Sequence, residues 1–410
     1  VQDTQVPTNE ANNRPSPPFH TRPQLTIILG RNHRIAWLFG WWALSGLLHA
    51  DTLPKPTEER IRQVVTRLAS PEFAGRSGAG GKKAAEFLVD QFQSLKLEPA
   101  FNGDYIQWIP GDQPDTYIGR NVAATLRGTD PMLRDQWIIV AAHFDHLGIR
   151  NGKLYPGADD NASGVAMMLE TARCLVQGPN RPKRSIMFIG FDLEEFGLFG
   201  SRYFVAHPPI PLDHVSLFIT ADMIGRALGG VCLDHVFVIG TEHIPATREW
   251  IARSARTRPL KIGLLGSDLL VLNRSDYGPF RSISIPYLFF TTGENPKYHT
   301  PNDLAATVDY PKATAISGLI LDVTRDALDM PALPRWNKEP DHPLAEAETI
   351  REVLKILSQH QTELKIGSVP LYLIESTIRL LDGVTARGRI TPDERSRMIQ
   401  AARVVLFTVF

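Results

Sequence analysis

Metal-capable and proton-transferring side chains stand beyond the ends of four short apolar runs in this 410-residue sequence. His143 follows the first run, Glu194 and Glu195 follow the second after a short loop, Asp222 follows the third directly, and His299 lies on the loop after the fourth. Asp160 sits in the loop from Pro156 to Gly164, and Asp145 lies just beyond His143. Two imidazoles and three carboxylates make the nitrogen and oxygen donor set that suits zinc, and two such ions in one site need a carboxylate shared between them. Taken singly these residues carry little: a histidine after a strand is usually a satisfied loop residue, and paired glutamates usually belong to a solvated face. Their joint position at one edge points to a metal site.

The runs that position them are Trp137 to Ala142, Ile186 to Phe191, Val215 to Ala221 and Ile285 to Phe290. They are apolar throughout, as strands buried on both faces are. Between the first two, Val165, Met168, Leu169, Ala172 and Leu175 recur at helical spacing, which predicts a helix from Ser163 to about Val176. The alternation implies an α/β fold with a mostly parallel, mixed sheet sandwiched by helices. In open sheets of this kind ligands sit at the carboxyl ends of the strands, where these side chains fall. Two helices precede the sheet. One begins near Pro56 with Thr57 as N-cap and Ile61, Val64, Val65 and Leu68 on one face; the other carries Ala85, Leu88, Val89, Phe92 and Leu95. The stretch from Gly75 to Gly81 lacks a phosphate-loop ending and reads as a surface turn.

Lysine plus arginine equals aspartate plus glutamate at 44 each, so no global field recruits nucleic acid or an anionic membrane. Cys174 and Cys232 are too few for a disulfide framework and read as buried small hydrophobes. Residues 1–50 read as a polar tail and a signal peptide, with basic Arg31 to Arg34, an apolar run from Ile35 to Leu48, and Ala50 before Asp51. That run is too short to span a bilayer as a helix, and an uncleaved anchor or a buried N-terminal helix is the alternative. A secreted or periplasmic location is expected. Residues 51–333 form the main domain; 334–410 form a Pro-rich linker and a small helical appendage, with helices near Leu344 to Leu364, Leu371 to Asp382 and Pro392 to Val409. Thr391, Pro392 and Glu394 supply a cap, a first-turn proline and a capping-box glutamate for the last.

The stretches Ala142 to Gly148, Pro156 to Gly164, Phe191 to Gly197, Ala221 to Arg226 and Tyr298 to Pro301, with Ser275-Asp276 ahead of the fourth strand, resemble the dizinc aminopeptidase family. That family includes secreted bacterial leucyl-type aminopeptidases, glutamate carboxypeptidases and, more distantly, glutaminyl cyclases. The resemblance spans about residues 58–309 and leaves the helical tail unexplained. It implies a zinc-exopeptidase fold of the phosphorylase/hydrolase-like type and two Zn2+ ions, one held by His143 and Asp222, the other by Glu195 and His299, with Asp160 bridging. The choice of Asp160 over Asp159 rests on family position. Asp145 would accept a hydrogen bond from the second nitrogen of His143, and His146 would have a supporting or surface role. Glu194, beside a ligand, would be the general base.

The resemblance further implies a peptide substrate cut at its free N-terminus, with a carboxypeptidase or deacylase as the rival. The related deacylase and carboxypeptidase group inserts a sizeable dimerisation domain before the last histidine, for which the interval from Asp222 to His299 is too short beside the strand already placed there. A carboxypeptidase would need a basic pocket, for which Arg226 and Arg281 are candidates. A non-catalytic, receptor-like homologue would be expected to have lost ligands or Glu194, and all are present.

Overall fold

Strands buried along almost their whole length make the middle of the sheet, because helices cover them on both sides. The computed structural model describes residues 53–267 and 271–409. The expected leader lies outside the described residues. The strands are β1 (Glu98–Pro99), β2 (Ile106–Pro110), β3 (Tyr117–Leu126), β4 (Trp137–His143), β5 (Ile149–Arg150), β6 (Lys153–Leu154), β7 (Ser185–Phe191), β8 (Val215–Ala221), β9 (His235–Ile239), β10 (Lys261–Leu265) and β11 (Tyr287–Thr291). All but the β5–β6 hairpin join one mixed sheet of order β1-β3-β7-β4-β8-β11-β9-β10, with β2 also on β3. The four strands read from the sequence are β4, β7, β8 and β11, and they run parallel side by side at its centre. The flanks bring antiparallel pairs, β3 on β7 and β9 on β11.

The helices are α1 (Glu58–Leu68), α2 (Ala79–Ser94), α3 (Gly164–Val176), α4 (Phe199–Ala206), α5 (Thr247–Ala255), α6 (Tyr277–Ser282), α7 (Tyr310–Asp329), α8 (Leu344–Gln359), α9 (Ser368–Arg387) and α10 (Pro392–Val409). Alternation along β4 sorts them into layers. Ile138, Val140 and Ala142 belong to one core with α1, α2, α3, α5 and α7; Ile139 and Ala141 belong to the other with α4, α6 and α8 to α10. Thr57 caps α1 by accepting from the Arg60 N–H. Pro286 falls just ahead of β11, and its carbonyl accepts from the Phe218 N–H at 2.8 Å, so its missing N–H costs the ladder nothing.

The glycine stretch is not the surface turn expected. Gly75 and Arg76 are buried and α2 begins at Ala79. Gly75 has φ +66°, and a Cβ there would meet the Tyr155 carbonyl at 2.5 Å, so close backbone approach and a left-handed conformation both require glycine. Both cysteines are buried and free. Among the described residues no helix is long and apolar enough to cross a membrane.

The C-terminal helices share a core with the sheet. Ile350, Leu354, Leu357, Ile374, Leu381 and Val405 are all at most 4% exposed and cluster with Phe237, Ile239 and Tyr277. Each such side chain contributes roughly 1.5–3 kcal/mol on full burial. One buried ion pair adds register: Arg395 on α10 donates to Glu346 on α8 at 2.6 Å and 3.0 Å, and Glu346 also accepts from the Gly266 N–H at 2.9 Å. At the start of α10, Thr391 Oγ1 accepts from the Glu394 N–H, and Glu394 accepts from the Thr391 N–H, the reciprocal box the sequence predicts.

Candidate two-metal centre

Parallel strands end in step, so their last residues deliver side chains to one edge. His143 closes β4 opposite Phe191 of β7, Glu194 and Glu195 follow β7, and Asp222 follows β8. Asp160 comes from the turn that opens α3, and His299 from the loop after β11. His143 Nε2 lies 3.4 Å from Asp160 Oδ1 and 3.3 Å from Asp222 Oδ1. His299 Nε2 lies 3.1 Å from Asp160 Oδ2 and 3.0 Å from Glu195 Oε2. Asp160 thus turns one oxygen to each cluster.

These separations suit cations. Two ligands each about 2.1 Å from a tetrahedral ion stand about 3.4 Å apart. Both ring nitrogens of His143, Asp222 Oδ1 and Asp160 Oδ2 are buried with no hydrogen-bond partner, a costly state for polar atoms that coordination relieves. Asp159 is different. Its Oδ1 accepts from the Gly225 N–H at 2.6 Å and Ser163 Oγ at 3.2 Å, and its Oδ2 from Asn295 at 3.4 Å, so its carboxylate is occupied by the protein. Geometry therefore separates two neighbours that sequence spacing could not.

The electrostatics follow from burial against close opposite charge. Burial alone would lower the pKa of His143, but the Asp222 and Glu194 carboxylates hold it well above the ordinary histidine value. Burial opposes the proton on His299 as well, yet the Asp160 and Glu195 carboxylates beside it raise its pKa to about 10. Asp160 stays well below the usual carboxylate range despite burial, because the His143 and His299 imidazoles stand against it. Glu194 moves the other way: burial, reinforced by the charges of Asp222 and Asp276, raises it well above the usual glutamate value. Adjacent glutamates thus have opposite electrostatics, Glu195 being lowered by His146 and His299 against its burial.

Around the donors lies a frame of hydrogen bonds. Asp145 Oδ1 stands 3.6 Å from His143 Nδ1, a charge contact longer than a hydrogen bond, while its two oxygens accept from the Glu194 and Glu195 N–H groups at 3.1 Å and 3.3 Å. It connects the histidine with the glutamate loop. His146 is fully buried, not on the surface, and its Nδ1 is 2.7 Å from Glu195 Oε1. His146, Asp160 and Glu195 also lie close enough to hold an ion, so this histidine stands beside His299 as a candidate donor.

Arg76, Asp303 and Ser275 complete the frame. Arg76 donates to the carbonyls of Phe144, Pro156, Gly157 and Asp160, fixing the His143 and Asp160 loops to each other. Asp303 accepts from the N–H groups of Asp159 and Asp160 and from Arg226. Ser275 Oγ donates to Asp222 Oδ2 at 3.0 Å. The sequence reading passed over Arg76 and Asp303. For Asp303 a faint signal existed, an acid shortly after His299; for Arg76 none did, because a surface arginine looks the same.

A sheet covered by helices, with paired donor clusters at its carboxyl edge, is the fold of the zinc exopeptidases. Residues 121–324, just under half of the chain, match the model of peptidase family M28. Aminopeptidase YwaD of Bacillus subtilis is 28% identical over 209 residues, 49% of this chain and 43% of that protein. A glutamate carboxypeptidase 2 homolog of Caenorhabditis briggsae is 33% identical over 163 residues, 37% of this chain and 20% of its own length. The chain thus spans less than half the length of these two relatives. The solved structure of BSAP, a zinc aminopeptidase from Bacillus subtilis, superposes with a TM-score of 0.54 at 16% identity, covering 71% of this chain and all of that one.

Proposed function

We propose that the protein is a zinc-dependent aminopeptidase that hydrolyses the N-terminal bond of peptides at a two-ion site. The observation that carries this reading is Asp160, with one oxygen toward His143 and the other toward His299. On this reading His143 and Asp222 hold one ion, Glu195 and His299 the other, and Asp160 both; His146 steadies Glu195. Zinc, when bound, lowers the pKa of water toward about 7 and shares the charge that develops on the scissile carbonyl oxygen. Glu194 lines the cavity with Asp160, Asp222 and His299. Its carboxylate takes the proton of the attacking water and delivers it to the departing amine nitrogen. Asp145 acts through others, holding the glutamate loop against His143.

An acidic donor edge receives the substrate's free amine. The likeness to a glutamate carboxypeptidase homolog favours a second reading, but the two arginines that the sequence offers for it are engaged elsewhere, which leaves Arg403 of the cavity wall as its candidate. Arg226 is buried and bonded to Asp303 and Thr307, and Arg281 donates to Asn273. Arg274, at the cavity, is paired with Glu294. An extracytoplasmic location belongs to the proposal and rests on the basic and apolar residues 31–50. The test compares one peptide with its N-acetylated and C-amidated forms. Acetylation abolishes release of the first residue and amidation changes it little; the reverse pattern assigns the protein to the carboxypeptidase side.

A further inference from the structure

The donor edge opens into a cavity of about 680 Å³, whose far side is not built by the family domain. Asp160, Glu194, Asp222 and His299 stand at one end. Phe237 and Phe289 of the sheet line its depth, facing Ile350, Leu354 and Leu357 of α8 and Leu406 of α10. The family match ends at residue 324, whereas α8 begins at Leu344, so this wall is contributed by the C-terminal helices. Those helices are fastened where the wall needs them. The Glu346 carboxylate joins Arg395 of α10 to the Gly266 N–H, one residue past Leu265, which also lines the cavity.

We infer that the C-terminal helices give the active site a deep apolar pocket for the side chain of the residue bearing the free amine, selecting long or bulky apolar groups beyond the reach of a leucine. This rests on the aminopeptidase reading above. Cavities of roughly 300–1,000 Å³ bury most of a drug-sized ligand, so this one has room for more than a single aliphatic side chain. Thr349 and Arg403 are polar exceptions in a wall that is otherwise apolar there, so a polar group between Phe237, Phe289 and the leucines would lose most of its hydration, whereas an apolar chain gains from leaving water. The acyl-side residue is the occupant because its carbonyl must lie at the donors, which places its side chain at the cavity's mouth.

The experiment measures kcat/KM for alanyl, leucyl and 2-aminodecanoyl anilides on the zinc-loaded full chain, together with calorimetric binding of alanine and 2-aminodecanoic acid. For the wild type, both kcat/KM and affinity rise by roughly fourfold per added methylene through the part of the series that fits. Val353→Trp and Leu406→Trp, at half-buried positions of the wall, lower the ratio of ten-carbon to alanyl kcat/KM, and the matching ratio of affinities, at least tenfold. Chain-length-dependent binding that the tryptophans abolish, with no turnover of any aminoacyl substrate, upholds the pocket and refutes the peptidase reading. Turnover of the alanyl compound with no gain along the series overturns the pocket and leaves the peptidase standing. So does a gain seen only when the long chain is on the leaving residue, or an equal effect of the tryptophans on short and long substrates.

Discussion

The donor edge and the C-terminal helices both bury charge, and they treat it in opposite ways. At the edge, His143, Asp160 and Asp222 converge with buried polar atoms left unpaired, inside a frame in which Arg76, Asp145, Asp303 and Ser275 are well bonded. In the tail, Glu346 meets Arg395 through two hydrogen bonds and caps a backbone N–H besides. Leaving a buried polar atom unpaired costs about 1–3 kcal/mol, more for a charged group. A protein tolerates that at a cluster only where something else completes the coordination, whereas a satisfied pair needs nothing further. The same residue types therefore mark a binding site in one region and a fastening in the other.

The largest way to break this contrast is to remove the shared carboxylate. Asp160→Ala loses both ions and lowers turnover on the order of a thousandfold or more, because both Lewis-acid positions fail together. His299→Ala empties mainly one position. Elemental analysis of the purified variants reads the difference, and an Asp160→Ala protein that keeps a full load of two ions ends the bridging assignment.

Next comes the pair of adjacent glutamates. Glu194→Gln keeps its ions and its fold while kcat falls roughly 10²- to 10⁴-fold, the usual worth of a positioned acid–base group. Glu195→Ala loses metal as well, since its carboxylate meets His299 at 3.0 Å. Wild-type turnover in Glu194→Gln would remove this residue from the chemistry.

Why the donors were legible and their frame was not is a matter of what the chain order records. Strand ends are visible as the end of an apolar run, so His143, Asp222 and the glutamates could be placed at one edge before any coordinates. The helix from Pro392 to Val409 was equally legible, because its cap, first-turn proline and capping glutamate are all local. Arg76 is non-local: its partners lie 68 to 84 residues away, except for the Leu68 carbonyl, and no local pattern distinguishes it from an exposed arginine. The flanking β9 and β10 went unread for a related reason. His235 and Lys261 begin them, and the pairings that hold them, β9 parallel to β10 and antiparallel to β11, are distant in sequence. The cavity was beyond reach altogether, since it exists only where α8 and α10 return to the sheet.

In the tail, the corresponding lesion acts on stability instead of chemistry. Glu346→Ala removes two hydrogen bonds from Arg395 and the acceptor of the Gly266 N–H, and costs up to about 3–5 kcal/mol, the usual range for removing one partner of a buried pair. Denaturant titration of the zinc-loaded protein measures it, and metal content stays at the wild-type value. Loss of an ion in this variant would mean that the two regions are coupled and the contrast between them is too sharp.

The smallest effect expected is a proton linkage that only the donor edge has. In the metal-free protein His299 has its pKa raised to about 10, above the roughly 6.5 of an unfolded histidine. Its interactions with Asp160 and Glu195 therefore stabilise the metal-free fold fully below about pH 6.5, and that contribution is lost as pH rises through 10. Coordination needs the neutral imidazole, so over this window each ion bound at His299 must expel a proton. Affinity for that ion accordingly climbs by about tenfold per pH unit for each proton released, and levels off above the folded pKa. Two consequences can be read together between pH 6.5 and 8.5: calorimetry in buffers of different ionisation enthalpy registers proton release, and the rise in Tm on adding zinc widens with pH. His299 is about a third exposed, so solvent screening moderates the stability change without altering its sign. Glu346→Ala shifts the curves with and without zinc together and leaves their separation intact, because neither Glu346 nor Arg395 touches the donors. His299→Ala instead removes its share of the proton release. If zinc bound equally tightly across the range with no proton expelled, His299 would not be a ligand, and the buried His146 at 2.7 Å from Glu195 would take its place at the second ion.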